Sequence, residues 1–203
     1  GNFDLLMAQA SIYEVSRRFE EAITAYEALL KKYPGSDVVV NNLASLLSEH
    51  RTDQASLLRA YEMTQRFNRS DAPYFRDTLG WASYRLGKVE EALPLIESAV
   101  RQLPEQPVFR YHLGVSYAAL NRKELARQEL EKALELSQGN SLQSTEQIRS
   151  ALEETGLPPG RLELELTESV MLEDAEGALV LMQELKGLGV RLSMDDFGTG
   201  YSS

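Results

Sequence analysis

Apolar residues recur along the first two thirds of the chain with the three- and four-residue spacing of amphipathic helices, as in Ala22, Tyr26 and Leu29. The pattern is itself repeated. Self-alignment at a period of 34 gives units at 3–36, 37–72, 73–106 and 107–140, the second longer by two residues. A period of this length predicts stacked helix-turn-helix units. After residue 140 the rhythm changes. Gly139, Asn140 and Ser141 read as a helix stop followed by turn residues, and Ser144-Thr145-Glu146 opens a helix to about Thr155, with Ile148 and Leu152 on one face. Gly156 and Pro158-Pro159 end it. Residues 162–166 alternate apolar and acidic as a strand does, 174–188 return to helical spacing, and 190–194 predict a second strand. Helix, strand, helix, strand is one and a half units of an α/β barrel wall.

The residue types within the repeats follow a rule. In the third unit Leu79, Gly80, Gly87, Ala92, Ala99 and Pro104 stand where Leu113, Gly114, Ala126 and Ala133 stand in the fourth, joined there by Tyr117. Ala10, Tyr13, Ala22, Tyr26 and Pro34 mark the first. Small residues let paired helices approach, larger apolar ones fill the gaps, and Pro ends the second helix. Residues 3–140 therefore resemble the tetratricopeptide repeat family. The resemblance implies a mainly α fold, a right-handed α-α superhelix of four repeats that takes a protein or peptide in its concave groove. The second unit departs from the pattern, with Ser56 for the usual Ala and a polar 50–53 turn expected to be lengthened, so it is expected to be the least rigid. By resemblance the first helix of each repeat lines the groove, which puts Asn41, Tyr74, Asp77, Trp81, Tyr84 and Tyr111 on it. Clustered aromatics are common partner anchors, and Trp81 and Tyr84 equally suit packing between neighbouring helices; both readings stay open. The groove has no Lys-rich set, which disfavours a C-terminal carboxylate as its ligand.

Two acidic motifs distinguish the last quarter of the chain: Glu165-Leu166-Thr167-Glu168, and Asp195-Asp196-Phe197-Gly198-Thr199-Gly200-Tyr201-Ser202-Ser203. In order and spacing they resemble the EAL family of bacterial cyclic di-GMP phosphodiesterases, over roughly residues 146–203. The resemblance implies a partial (β/α)8 barrel wall, with Glu165, Asp195 and Asp196 matching metal ligands, Glu168 supporting the loop after the second strand, and 196–203 forming part of that loop. In the intact family such strand-end carboxylates hold Mg²⁺ or Mn²⁺, which activates water against a phosphodiester. The family's N-terminal Glu and Asn ligands, and its later Lys, Glu and Gln, have no matching motif here, and a whole barrel takes about 250 residues. No catalytic residues, no resident cofactor and no phosphodiesterase activity are therefore expected. Because the missing parts lie on both sides, the expected origin is a fusion or an internal deletion, a chimera of repeat scaffold and enzyme fragment. Glu27-Ala28-Leu29-Leu30-Lys31 and Glu91-Ala92-Leu93 imitate the family signature but fall at helical repeat positions.

Charge supports the same division. Residues 1–140 carry 17 basic and 19 acidic side chains and 141–203 carry 4 and 12, giving −2 and −8 of the total −10. That balance argues against a nucleic-acid polymer as partner. There is no apolar run of membrane length, so no membrane span is expected, and a cytoplasmic location follows. The chain holds no cysteine, which removes disulfides and thiol chemistry. His50 and His112 are its only histidines and lack ligand spacing, so neither is expected to hold a metal or act in acid-base catalysis. Two strands and one helix leave open edges, so residues 161–203 are expected to self-associate or to dock on the repeats. The resulting expectation is a non-enzymatic protein-interaction scaffold; the competing one is a metal- or nucleotide-binding module whose barrel another chain completes.

Overall fold

The computed structural model describes residues 2–137, 150–154, 163–166 and 191–194, and the chain divides into two compact units, Gly1–Pro104 and Glu105–Ser203. The expected boundary was at 140. Unit one holds three helical hairpins: α1 (Asn2–Val15) with α2 (Phe19–Lys32), α3 (Asp37–His50) with α4 (Gln54–Thr64), and α5 (Pro73–Arg85) with α6 (Val89–Gln102).

Local signals start and stop these helices. Glu20 and Glu21 open α2, and Lys31 and Lys32 close it, each matching the helix dipole. Ser36 accepts from Val39 N at 3.5 Å and Asp53 from Ser56 N at 2.9 Å, capping α3 and α4. Pro73 begins α5 where no N–H is needed. Pro94 lies inside α6 and forfeits one backbone bond, which the buried stripe Ala92, Leu93, Ile96, Ala99 and Val100 outweighs. Each fully buried large aliphatic side chain contributes about 1.5–3 kcal/mol.

One cluster gathers Ala10 of α1, Ala22, Ile23, Tyr26 and Leu29 of α2, and Val39, Leu43 and Leu46 of α3. A second joins Val40, Phe67 and Leu79, with Phe67 stacked on Phe75 at 4.4 Å. The small residues act as their spacing predicts. A Cβ on Gly80 would meet Ile96 Cγ1 at 2.6 Å, so α5 and α6 touch where only glycine fits.

The turns correct one expectation. The connections inside the hairpins are 16–18, 51–53, 86–88 and, in unit two, 120–122, all of equal length, so the second repeat is not lengthened there. One extra residue lengthens α3, which has 14 residues against 13 in α5 and α7, and the other falls between the start of α4 and α5, where a 3-10 turn, Gln65–Phe67, carries Phe67 into the second cluster. The second turn differs in conformation instead. Arg17, Gly87 and Asn121, the middle residues of their turns, are left-handed at φ 58°, 84° and 57°, whereas Thr52, the middle residue of 51–53, is not among the residues with positive φ.

Unit two contains α7 (Pro107–Ala119), α8 (Lys123–Ser137) and the strands β1 (Glu163–Leu166) and β2 (Arg191–Met194). Gly114 repeats the Gly80 solution: a Cβ there would lie 2.6 Å from Leu130 Cγ. Arg110 and Glu129 tie α7 to α8 at 2.6 Å. The strands pair in parallel, with Glu163 opposite Arg191 and Leu166 opposite Met194. Residues 150–154 are helical, within the helix expected there. The expected junction at 139–141 and helix at 174–188 lie outside the described residues, and with them most of the expected barrel wall.

Candidate functional site

Helical spacing sets Tyr74, Asp77, Trp81 and Tyr84 on one side of α5. Tyr74 is 51% exposed, while Trp81 and Asp77 retain only 4% and 5% of their surface. Trp81 and Tyr84 stack at 4.9 Å with planes 6° apart, and the Arg85 guanidinium stands 5.8 Å from the Trp81 ring. The pair is thus a rigid aromatic platform with Trp81 as its buried half. Arg85 also donates to the carbonyl oxygens of Ser48 and Arg51, fastening α5 to the end of α3.

Asn41, the groove position on α3, donates to Asn42 Oδ1 at 3.3 Å, and Asn42 donates to the buried Tyr26 hydroxyl at 3.1 Å. That hydroxyl donates to Glu14 Oε2 at 3.3 Å. Burial pushes the Glu14 carboxyl up, against the lowering effect of the Tyr26 bond, and burial also raises Tyr26. Sequence reading named Asn41 as a groove position but gave no sign that it connects through Asn42 and Tyr26 to Glu14, because Tyr26 sits on the second helix. In unit two, Tyr111 inclines at 52° to the ring of His112, which is buried. His50 stacks on Phe19 at 3.6 Å. Neither histidine stands in a group of three potential ligands; among the described residues no such group occurs.

The two imitations of the acidic signature are structural. Glu27 pairs with Arg59 at 2.5 Å and Leu29 is buried in the first cluster. Glu91 binds Lys88 at 3.3 Å and accepts from the Tyr61 hydroxyl at 3.0 Å.

Of the expected metal ligands, Glu165 is the third residue of β1, in register with Ser193 of β2. Asp195 and Asp196 follow Met194, the last residue of β2, in sequence. Both strands run the same way, so Glu165 and the residue preceding Asp195 stand at one end of the sheet. Asp195, Asp196 and Glu168 themselves lie outside the described residues.

The EAL domain model matches residues 81–203, more than half of the sequence. The chain belongs to the EAL-domain family. The match begins within α5, earlier than the acidic motifs, and a tetratricopeptide repeat model matches residues 3–46. The chain is thus a repeat protein with a partial EAL domain. Among relatives of this EAL-domain chain, the bifunctional diguanylate cyclase/cyclic di-GMP phosphodiesterase MucR of Pseudomonas aeruginosa is 50% identical over 56 residues, 28% of this chain and 8% of MucR. The cyclic di-GMP phosphodiesterase NbdA of the same organism is 48% identical over 58 residues, 29% of this chain and 7% of NbdA. The matched stretch therefore spans less than a tenth of those relatives. Among solved structures, a tetratricopeptide repeat protein of Thermus thermophilus is similar in fold, with a TM-score of 0.63 at 22% identity, covering 92% of this chain and 98% of that one.

Proposed function

We propose that the helical repeats are a non-enzymatic protein-interaction scaffold and that the EAL segment does not hydrolyse cyclic di-GMP in this chain by itself. The observation carrying the scaffold reading is the Trp81–Tyr84 stack on α5, with Tyr74 exposed a short way along the helix. Stacking on the buried Trp81 leaves Tyr84 with little side-chain entropy to lose on contact with a partner. On this reading a peptide or protein segment binds against α5 at Tyr74 and Tyr84, and Asn41, Asp77 and Tyr111 are the further groove positions. The proposed domains are the solenoid at 3–140 and a partial barrel wall at 141–203. A protein captured by the full chain should be lost on Trp81→Ala and Tyr111→Ala substitution; retention of all partners by both variants overturns the groove assignment.

A second reading is a metal- or nucleotide-binding module completed by another chain, favoured by the parallel register that sets Glu165 near the sheet end from which Asp195 and Asp196 continue. Three carboxylates are the donor chemistry of Mg²⁺ or Mn²⁺. Such an ion, when bound, polarises phosphoryl oxygens and lowers the pKa of coordinated water. Calorimetry of the full chain with Mg²⁺ and cyclic di-GMP separates the readings. The scaffold proposal expects neither uptake nor turnover, and metal-dependent hydrolysis that disappears in Asp195→Ala refutes it.

A further inference from the structure

A chain of hydrogen bonds runs from Asn41 on the second hairpin to the first. Asn41 Nδ2 donates to Asn42 Oδ1, Asn42 Nδ2 donates to the Tyr26 hydroxyl, and that hydroxyl donates to Glu14 Oε2. The direction is fixed, because an amide nitrogen only donates and a carboxylate only accepts. Both ends of the chain are therefore acceptors. At one end Asn41 Oδ1 receives no donor. At the other, no Lys or Arg pairs with Glu14 among the described residues, and burial raises its pKa, as it does for a charge sheltered from water without a counter-charge. Glu14 faces the second hairpin, since the hydroxyl it meets also holds Asn42 of α3. α3 in turn packs on α1 and α2 through Leu43 and on α5 through Val40, so the site lies between repeats. Apolar surface adjoins it. Val38, one turn before Asn41, is 50% exposed, and Tyr74, at the same second position of α5, is 51% exposed.

We propose that this site takes a Lys or Arg side chain of a peptide lying in the groove, with an apolar neighbour of that residue covering Val38 and Tyr74. The inference rests on the groove reading given above and names the residue type that the groove selects. An ammonium or guanidinium only donates, so it suits two acceptors, and it brings the charge that Glu14 lacks. Neither α1 nor α3 carries a Lys or Arg that would compete for the position. The relay adds to the preference: its end on a carboxylate polarises the Asn41 amide and makes Oδ1 the better acceptor. A peptide carboxylate would bring a like charge, and a wholly apolar segment would leave both acceptors without donors.

Panning a phage-displayed library of random peptides against the full chain tests it. Enriched peptides should carry Lys or Arg beside an apolar residue and should lose binding in Tyr84→Ala. Glu14→Gln keeps the side-chain size and an acceptor for Tyr26; it should weaken these peptides about five- to tenfold, with circular dichroism unchanged. Replacing the peptide's Arg by citrulline, or its Lys by norleucine, should weaken binding to the parent chain as much and to Glu14→Gln little, the non-additivity of groups in contact. Peptides that need Tyr84 yet are indifferent to Glu14→Gln, or whose two changes add, overturn the inference and leave the groove reading standing. Enrichment of acidic peptides that need Tyr84 does the same. If no peptide is enriched, or none depends on Tyr84, the groove reading falls and the inference with it.

Discussion

Gly80 lies so close to Ile96 that an added Cβ would stand 2.6 Å from Ile96 Cγ1 and 3.3 Å from the Ala92 carbonyl oxygen. Ile96 is fully buried and Ala92 O is backbone, so neither yields easily. Alanine would gain about 1 kcal/mol of helix propensity, against about 1–3 kcal/mol for forcing a packed interface apart. Gly80→Ala should therefore lower stability by about 1 kcal/mol in urea unfolding. Gly35→Ala, with nothing within 4 Å, is the control and should stay within about 0.5 kcal/mol of the parent.

Arg17 occupies the turn position held by Gly87 in the third hairpin, and both are left-handed. A side chain there costs about 1–2 kcal/mol that glycine avoids. Part of the gain is lost because glycine has more freedom in the unfolded chain. Arg17→Gly should raise stability by about 0.5–1 kcal/mol, read as a higher thermal midpoint; an unchanged or lower midpoint counts against strain at this turn.

The repeats were legible because their determinants are local: Gly80 and Gly114 announce close helix pairs, and Pro73 and Pro107 stand at helix starts. The turn at Arg17 was not, since an Arg gives no composition signal for a left-handed backbone, whereas Gly87 and Asn121 are residue types that adopt it readily. The polar 50–53 segment suggested a longer turn, whereas one extra residue lengthens α3 and the segment after α4 buries Phe67, a tertiary demand the local pattern does not encode. The proposed groove fared similarly. Helical spacing found the side of α5 bearing Trp81 and Tyr84 and left open whether they anchor a partner or pack between helices; Trp81 is buried. For the EAL segment the alternation of apolar and polar residues gave the strand positions, and β1 and β2 fall within them, whereas Asp195, Asp196 and Glu168 lie outside the described residues.

His50 connects pH to stability. Its ring stacks on Phe19, and burial is the largest influence lowering its pKa; Arg17 and Arg85 lower it further, against the raising effects of Glu49 and Glu20. The unfolded chain therefore takes up this proton first. Stability from the neutral ring is fully present above about pH 6.5, the unfolded value, and is lost as pH falls through the lower folded value. Thermal midpoints should decline from pH 7.5 towards about pH 5, and His50→Gln should flatten that decline. Glu14 acts in the opposite sense, since its raised pKa contributes stability at low pH that is lost as the pH rises.

The second hairpin lacks the left-handed turn of the others, and its end is held from outside. Arg51 leaves α3 in an extended conformation, and its carbonyl, with that of Ser48, accepts from the Arg85 guanidinium. A positive charge at this helix C-terminus also favours the α3 dipole. Arg51 in turn reaches Glu20 at 2.6 Å, so the first and third hairpins clasp the turn between them. Arg85→Met keeps the aliphatic stem and removes both donated bonds. It should cost about 1–3 kcal/mol and raise amide exchange selectively around 48–53, while leaving α7 and α8 protected. Arg85→Lys should recover part of the loss, because one ammonium reaches one carbonyl well but cannot present the guanidinium fork to both. Unchanged exchange at 48–53 in Arg85→Met would show that the turn holds itself, and the expected weakness of the second repeat would then have to be sought after α4.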